Sequence, residues 1–203
     1  MFYRQEALGR ILFAYSSFDV QVGYVQGLGF IAGFALLHFE KNEEETFWFL
    51  VQLFNNEKHS LKDLFKPGLP KLHSILYQID ELLKYHSPKL FEHLEKFEIS
   101  SGFYATSLIL TLFTTQIDYQ VSERIWDIFL FEGWKHIIRT IVGVLIKCQD
   151  EILSVNPLEI RDVIVNYLAK SNIEDFMNCS FSIRLTTKTM KKYEIEFQKL
   201  EKK

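Results

Sequence analysis

At 203 residues, 48% apolar and 15% aromatic, the chain is long enough for one domain with a sizeable core, and its 19 phenylalanines call for several buried layers. The formal net charge is −3, from 23 basic and 26 acidic residues dispersed along the sequence. With no basic block to meet a phosphate backbone, composition argues against nucleic acid as a partner. Two cysteines, Cys148 and Cys179, are too few for a disulfide scaffold and lack zinc spacing, so both read as reduced, buried thiols.

Helical periodicity dominates throughout, and strand-like alternation is nowhere sustained. Leu8, Ile11, Leu12 and Tyr15 predict a first helix. The block from Gly27 to Phe39 is apolar on every side, the pattern of a central, fully buried helix. Asn42 followed by Glu43, Glu44 and Glu45 predicts an N-cap with acids at the positive end of the helix dipole, and Phe47, Leu50, Val51 and Phe54 share that helix's inner face. Pro67-Gly68 and Pro70 mark a break. Leu72, Ile75, Leu76, Ile79 and Leu83 then form an amphipathic stripe.

Ser87-Pro88 predicts a cap with proline at the first helical position. The stretch from Phe103 to Phe113 is again almost wholly apolar and reads as central. Further helices are expected over 119–131 and 135–152. Asn156-Pro157-Leu158-Glu159 has the spacing of a capping box, and Met190, Tyr193, Phe197 and Leu200 mark a closing helix. The expectation is an all-α fold of about nine or ten helices in one compact unit.

The first chemically suggestive segment is Val22-Gly23-Tyr24-Val25-Gln26-Gly27, which sets one amide at the mouth of ten residues without a polar side chain. Burying an unpaired amide costs roughly 1–3 kcal/mol. Gln26 is therefore either tied into the core or displayed at a surface, and the flanking glycines let another backbone come close. Gly27, Gly29 and Gly33 miss the dinucleotide-loop spacing by one residue, in a helical setting, and Gly29-x-x-x-Gly33 is read as close helix packing. The six histidines never pair at i, i+4 with a glutamate, so no metal site is expected. Arg124 and Asp127, at i, i+3, are expected to form an ion pair that locks helices together, with Trp126 and Phe129 facing the core.

Taken in order, Gln5-Glu6-Ala7-Leu8-Gly9-Arg10-Ile11-Leu12, the Y-x-Q-G segment at Tyr24 to Gly27, Leu110-Thr111-Leu112-Phe113, and Arg124-Ile125-Trp126-Asp127-Ile128-Phe129-Leu130-Phe131-Glu132-Gly133 resemble the TBC-domain family of Rab GTPase-activating proteins. The resemblance runs from about residue 5 to the final helices. It implies an all-α TBC-like domain over 1–203 that completes a partner's active site rather than acting as an enzyme by itself. The family uses an arginine finger and a glutamine, and the matching glutamine here is Gln26, with Tyr24 and Gly27 expected to shape its loop and meet the partner.

The family's arginine lies in an upstream I-x-x-D-x-x-R segment, which this sequence lacks; neither Arg4 nor Arg10 follows an aspartate at that spacing. The expectation is thus a domain truncated at its N-terminus, weakly active alone, since an arginine finger is worth about 10³–10⁵ in rate. Leu108 stands where the family often has tryptophan, and Asp118 where proline is common. The implied partner is a Rab-type small GTPase, which would hold GTP and Mg²⁺ itself, so no cofactor is expected of this chain. The implied setting is vesicle trafficking. With no signal peptide and an apolar run about half the length that spans a bilayer, the expected location is cytoplasmic, peripheral to endomembranes through the GTPase. The alternative is a non-catalytic TBC-like scaffold that binds a GTPase or another protein.

Overall fold

The computed structural model describes residues 2–115 and 117–201, with side chains from residue 5 onward, and places no strand among them. The long α1 (Phe2–Phe18) packs on α2 (Leu28–His38) and α3 (Glu43–Asn55). A short α4 (Leu61–Phe65) leads to α5 (Pro70–His86), which touches α6 (Pro88–Lys96), α7 (Ser101–Thr111) and α9 (Trp134–Lys147) and so sits at the middle of the molecule. Between them in sequence, α8 (Tyr119–Glu132) packs on α9. The chain closes with α10 (Gln149–Ile152), a 3-10 turn at Pro157–Glu159, α11 (Ile160–Lys170), α12 (Ile173–Ser182) and α13 (Thr187–Leu200).

The all-α expectation holds, with thirteen α-helices among the described residues instead of nine or ten. The additional ones have physical causes. At five residues, α4 is too short to show a periodicity. The single helix expected over 135–152 ends at Lys147, because Cys148 departs from helical geometry before α10 begins. The next addition, α12, starts from Asn172, whose side chain accepts the Asp175 N–H at 2.9 Å.

The predicted caps are mixed in outcome. Asn42 caps α3 by accepting from the Glu45 N–H at 3.2 Å. Asn156 accepts from the Leu158 N–H at 3.0 Å, which forms the 3-10 turn. Ser87 makes no cap; its hydroxyl reaches Gln149 of α10 instead, tying the end of α5 to a distant segment. Asp118 caps α8 through the Gln120 N–H at 2.8 Å, a use the common proline could not match. The core runs through Tyr15 against Phe54 (ring centroids 4.9 Å apart), Phe113 against Phe176 (6.0 Å), and the buried aliphatics of α5 and α9.

One expectation fails in an informative way. Although it carries no charge or hydroxyl, α2 is not buried all round: Phe30 and Leu37 are 53% and 43% exposed, while Leu28, Ile31, Ala32, Ala35 and Leu36 are buried. Its glycines pack on α1, as the spacing of Gly29 and Gly33 predicts, with Leu12 and Leu8 at ordinary van der Waals distance from where a Cβ would sit. The strip beside the glycines, at Phe30 and Leu37, is left open. The Phe103–Phe113 stretch behaves likewise, with Phe103 exposed and Leu108 buried. No helix among the described residues is long and apolar enough to cross a membrane.

Candidate functional site

The loop between α1 and α2 displays Gln26. Gln26 is exposed, and its amide has no hydrogen-bond partner among the described residues, so of the two readings the sequence allowed, display is the one realised. The loop beneath it is firmly held. Asp19 is buried; it receives the Lys62 Nζ of α4 at 2.9 Å, and its carbonyl accepts the Gly23 N–H at 2.8 Å. Burial and the Asp19 charge push the neighbouring Tyr15 phenol above its ordinary range.

Gly27 then makes the entry into α2 possible. Its φ is 107°, and a Cβ there would lie 2.8 Å from the Leu110 carbonyl oxygen of α7. Only glycine allows both the dihedral and that approach. Gly27 is itself buried, so it contributes backbone geometry rather than contact surface, whereas Tyr24 is 67% exposed on the same loop.

Gln26 borders a groove of about 460 Å³. Phe30 of α2 and Phe103 of α7 give it an apolar side, Thr106 and Thr111 a hydroxyl-bearing side, and Arg161 of α11 its charge. Arg161 is exposed and has no carboxylate partner among the described residues. Sequence reasoning missed it, because 135 positions separate it from Gln26 and no local pattern links them. The Asp19–Lys62 pair was missed because its two members stand 43 positions apart. Continuing along α2, Leu37, Tyr119 and the edge of Gly33 line a second opening, so the exposed apolar surface runs the length of the helix. Contiguous exposed apolar surface of this kind marks interaction sites.

The second motif is structural in its placement. Trp126 is 4% exposed and donates its indole N–H to the Leu112 carbonyl at 2.9 Å, while Ser122 donates to the Phe113 carbonyl at 2.9 Å. Together they satisfy two carbonyls where α7 ends with Leu112 and Phe113 at positive φ. That seam holds α7, and with it Leu110 beneath Gly27. Arg124 and Asp127 do not do what the spacing suggests. They meet at 3.5 Å within α8, both more than half exposed, and connect no second helix. A nearly buried ion pair that does link two helices is Arg139 of α9 with Glu132 of α8, at 2.5 Å.

Comparison with known proteins places this arrangement. The pattern of the Rab-GTPase-TBC domain matches residues 3–153. The chain belongs to this family. It is 36% identical over 200 residues to the Drosophila melanogaster ecotropic viral integration site 5 ortholog, covering 95% of this chain and 24% of that protein. It is 37% identical over 176 residues to the Saccharomyces cerevisiae GTPase-activating protein GYP5, covering 85% of this chain and 19% of that one. The crystal structure of the Chlamydomonas flagellar RabGAP TBC domain superposes with a TM-score of 0.74 at 28% identity, over 87% of this chain and 58% of that one.

The TBC chain thus spans a quarter or less of the curated relatives it matches. Gln26, its loop and the Trp126 seam all fall within the matched residues, whereas Arg161 lies beyond them. The side chain of Arg4 lies outside the described residues; Arg10 is engaged with Glu43 at 2.7 Å, on the surface and not toward the Gln26 groove.

Proposed function

We propose that this TBC domain accelerates GTP hydrolysis by a Rab-type small GTPase, and that it does so by inserting Gln26 into the partner's active site. The observation that carries the reading is an exposed amide with no intramolecular partner, on a loop whose backbone is clamped at Asp19 and Gly27. An unheld glutamine would have to lose its rotamer and loop freedom on binding; one on a fixed loop has already lost much of it.

The chemistry follows from the groups involved. In phosphoryl transfer, negative charge spreads over the transferring phosphate, and the attacking water must be held in line. A primary amide suits the second task because it offers both donor and acceptor. The GTPase would hold the GTP and Mg²⁺, leaving the domain without a cofactor of its own. The apolar side of α2 would seat the partner, and Arg161 would add an attractive charge at the groove wall for an acidic partner surface. Recruitment to an endomembrane through the GTPase, and a role in vesicle trafficking, belong to the same reading. Charge neutralisation at the phosphate falls to the family's arginine-bearing segment.

Single-turnover GTP hydrolysis by a panel of Rab GTPases tests this, using the protein that carries this domain and its Gln26→Ala variant. The expected outcome is acceleration of at least one Rab, cut about 10²- to 10³-fold by Gln26→Ala, the size of effect seen when one oriented active-site amide is removed. The melting temperature should stay unchanged. A variant as fast as its parent would overturn the role of Gln26. Tight binding to a GTP-loaded Rab with no acceleration would favour a scaffold instead.

A further inference from the structure

The short α4 (Leu61–Phe65) bears on both ends of the loop that displays Gln26. At the start of the loop, Lys62 Nζ lies 2.9 Å from Asp19 Oδ2 and 3.1 Å from Oδ1. One ammonium thus serves both oxygens of a carboxylate whose side chain is only 6% exposed. At the end of the loop, the Phe65 ring closes on Gly27, with Cε1 3.5 Å from where a Cβ would sit. Phe65 in turn stacks on Phe54 (ring centroids 5.6 Å apart, 14° between planes), and Phe54 meets Tyr15 at 4.9 Å.

Five residues are far too few for a helix to persist by propensity, so the place of α4 comes from packing. Leu61 and Leu64 are fully buried, and the helix rests on α3 and α5. Ser60 before it and Leu69 after it stand at φ 47° and 49°, a left-handed conformation that non-glycine residues seldom take. Such outliers cluster where a fold must hold a demanding geometry.

The Asp19 end has the sharper consequence. Apart from Lys62, its carboxylate has among the described residues only the Val22 N–H, at a long 3.4 Å. Its carbonyl accepts the Val22 and Gly23 N–H groups at 3.2 and 2.8 Å, forming the turn that leads into Tyr24, Val25 and Gln26. A buried carboxylate deprived of its counter-charge must move toward water. Asp19 cannot do so without carrying that turn, and Gln26 with it.

We propose, resting on the role given above to Gln26, that Lys62 is a positioning residue for GTP hydrolysis by the partner. Through Asp19 it fixes where Gln26 presents its amide, while Phe65 fixes the far end of the loop. Lys62 would touch neither partner nor nucleotide, because its ammonium is taken up by Asp19 beneath the loop. Its contribution therefore falls on the chemical step and not on affinity for the GTPase. Orientation is what such a step is sensitive to, since a displacement of about 1 Å can cost about 10²-fold.

The test is single-turnover GTP hydrolysis by an accelerated Rab, followed across a range of concentrations of the protein that carries this domain. Lys62→Met, which keeps the apolar stem and removes the charge, should lower the maximal rate about tenfold and shift half-saturation by less than about twofold. Lys62→Arg, which can still pair with Asp19, should stay within about threefold of the parent. In a Gln26→Ala background, Lys62→Met should have no further effect, because no amide is left to misplace. A merely structural lysine would instead lower the active fraction equally in both backgrounds. Backbone amide relaxation by NMR needs no GTPase: order parameters at Gly23, Tyr24 and Gln26 should fall from about 0.85 to below about 0.6 in Lys62→Met, with α9 unchanged. Should the stranded Asp19 charge unfold Lys62→Met, the double variant Asp19→Asn/Lys62→Met leaves neither charge and carries the same comparisons. Equal losses in the two backgrounds, or a loop as rigid in the variant as in the parent, would overturn the role of Lys62 alone. A Gln26→Ala protein as fast as its parent, or a Rab panel with no accelerated member, would overturn both roles.

Discussion

Two helices of this molecule invert what their composition suggests. Without a charged side chain, α2 leaves Phe30 and Leu37 open to solvent. In contrast, α9 carries His136, Arg139 and Thr140, and all three are buried. The difference lies in what the neighbours supply. In α9, each of these side chains finds a partner through one of its polar atoms: Thr140 donates to Ser180 at 3.1 Å, Ser180 meets His136 at 3.2 Å, and Arg139 pairs with Glu132, while His136 Nε2 and Arg139 Nε are left without one among the described residues. On α2, α1, α3, α7 and α8 cover most of the surface, and the strip at Phe30 and Leu37 is left uncovered by the described residues. Uncovered apolar surface beside the unpaired Gln26 is the surface on which the proposed partner would sit.

Breaking the closed side of the comparison should have the largest effect. A Cβ at Gly143 of α9 would lie 2.3 Å from the Cys179 carbonyl oxygen of α12, a backbone atom that cannot turn aside. Gly143→Ala should therefore destabilise the domain by about 3 kcal/mol or more, read from chemical denaturation, with every function lost in proportion to unfolding. A normal melt for that variant would mean that α9 and α12 are not locked as described.

Opening the other side should separate binding from stability. Truncating Phe30 and Leu37 together to alanine should change stability by about 0.5 kcal/mol or less, and weaken binding to a GTP-loaded Rab by about 2 kcal/mol, roughly thirtyfold. Titration calorimetry beside a thermal melt would show both. Equal losses in the two measurements would mean that these residues are core after all.

A pH series probes two of the buried titratable groups, Asp80 and His136, whose signs oppose. In the folded state Asp80 titrates near 6 instead of 3.8, so the native state holds more protons than the unfolded chain between those values. Stability contributed by Asp80 therefore falls as pH rises from about 4 to 6. Desolvation, reinforced by Arg139, depresses His136 to about 3, so its contribution is present above its ordinary value of 6.5 and is lost as pH falls below it. Asp80→Asn should remove only the first trend, giving a gain of about 1–3 kcal/mol at pH 7 relative to pH 4 in denaturant melts. The smallest effect is expected at Arg161. Arg161→Ala should weaken Rab binding about threefold at low salt and less at high salt, since an exposed charge is screened.

What could be read ahead of the structure was local or recurrent. The Asn42 cap rests on contacts within one turn, and the glycine at position 27 announces its φ by its identity. The motif order around Gln26 and Trp126 carried the family. What escaped was long-range. Ser87 has a cap's sequence context but bonds to Gln149 across the fold, and Arg124–Asp127 has a bridge's spacing but spans no gap. Lys62 beneath the glutamine loop and Arg161 across the groove carry no local signal, because their meaning is only where they sit.

By itself, then, the sequence determined an all-α chain, the family it belongs to, and a glutamine that had to be either satisfied or displayed. Periodicity, capping and glycine geometry are short-range physics, and they are written in neighbouring letters. Tertiary structure alone decided that Gln26 is displayed and that α2 keeps an apolar strip uncovered. Those outcomes depend on which surfaces distant helices do and do not cover, and no local pattern of residues encodes an absence of neighbours.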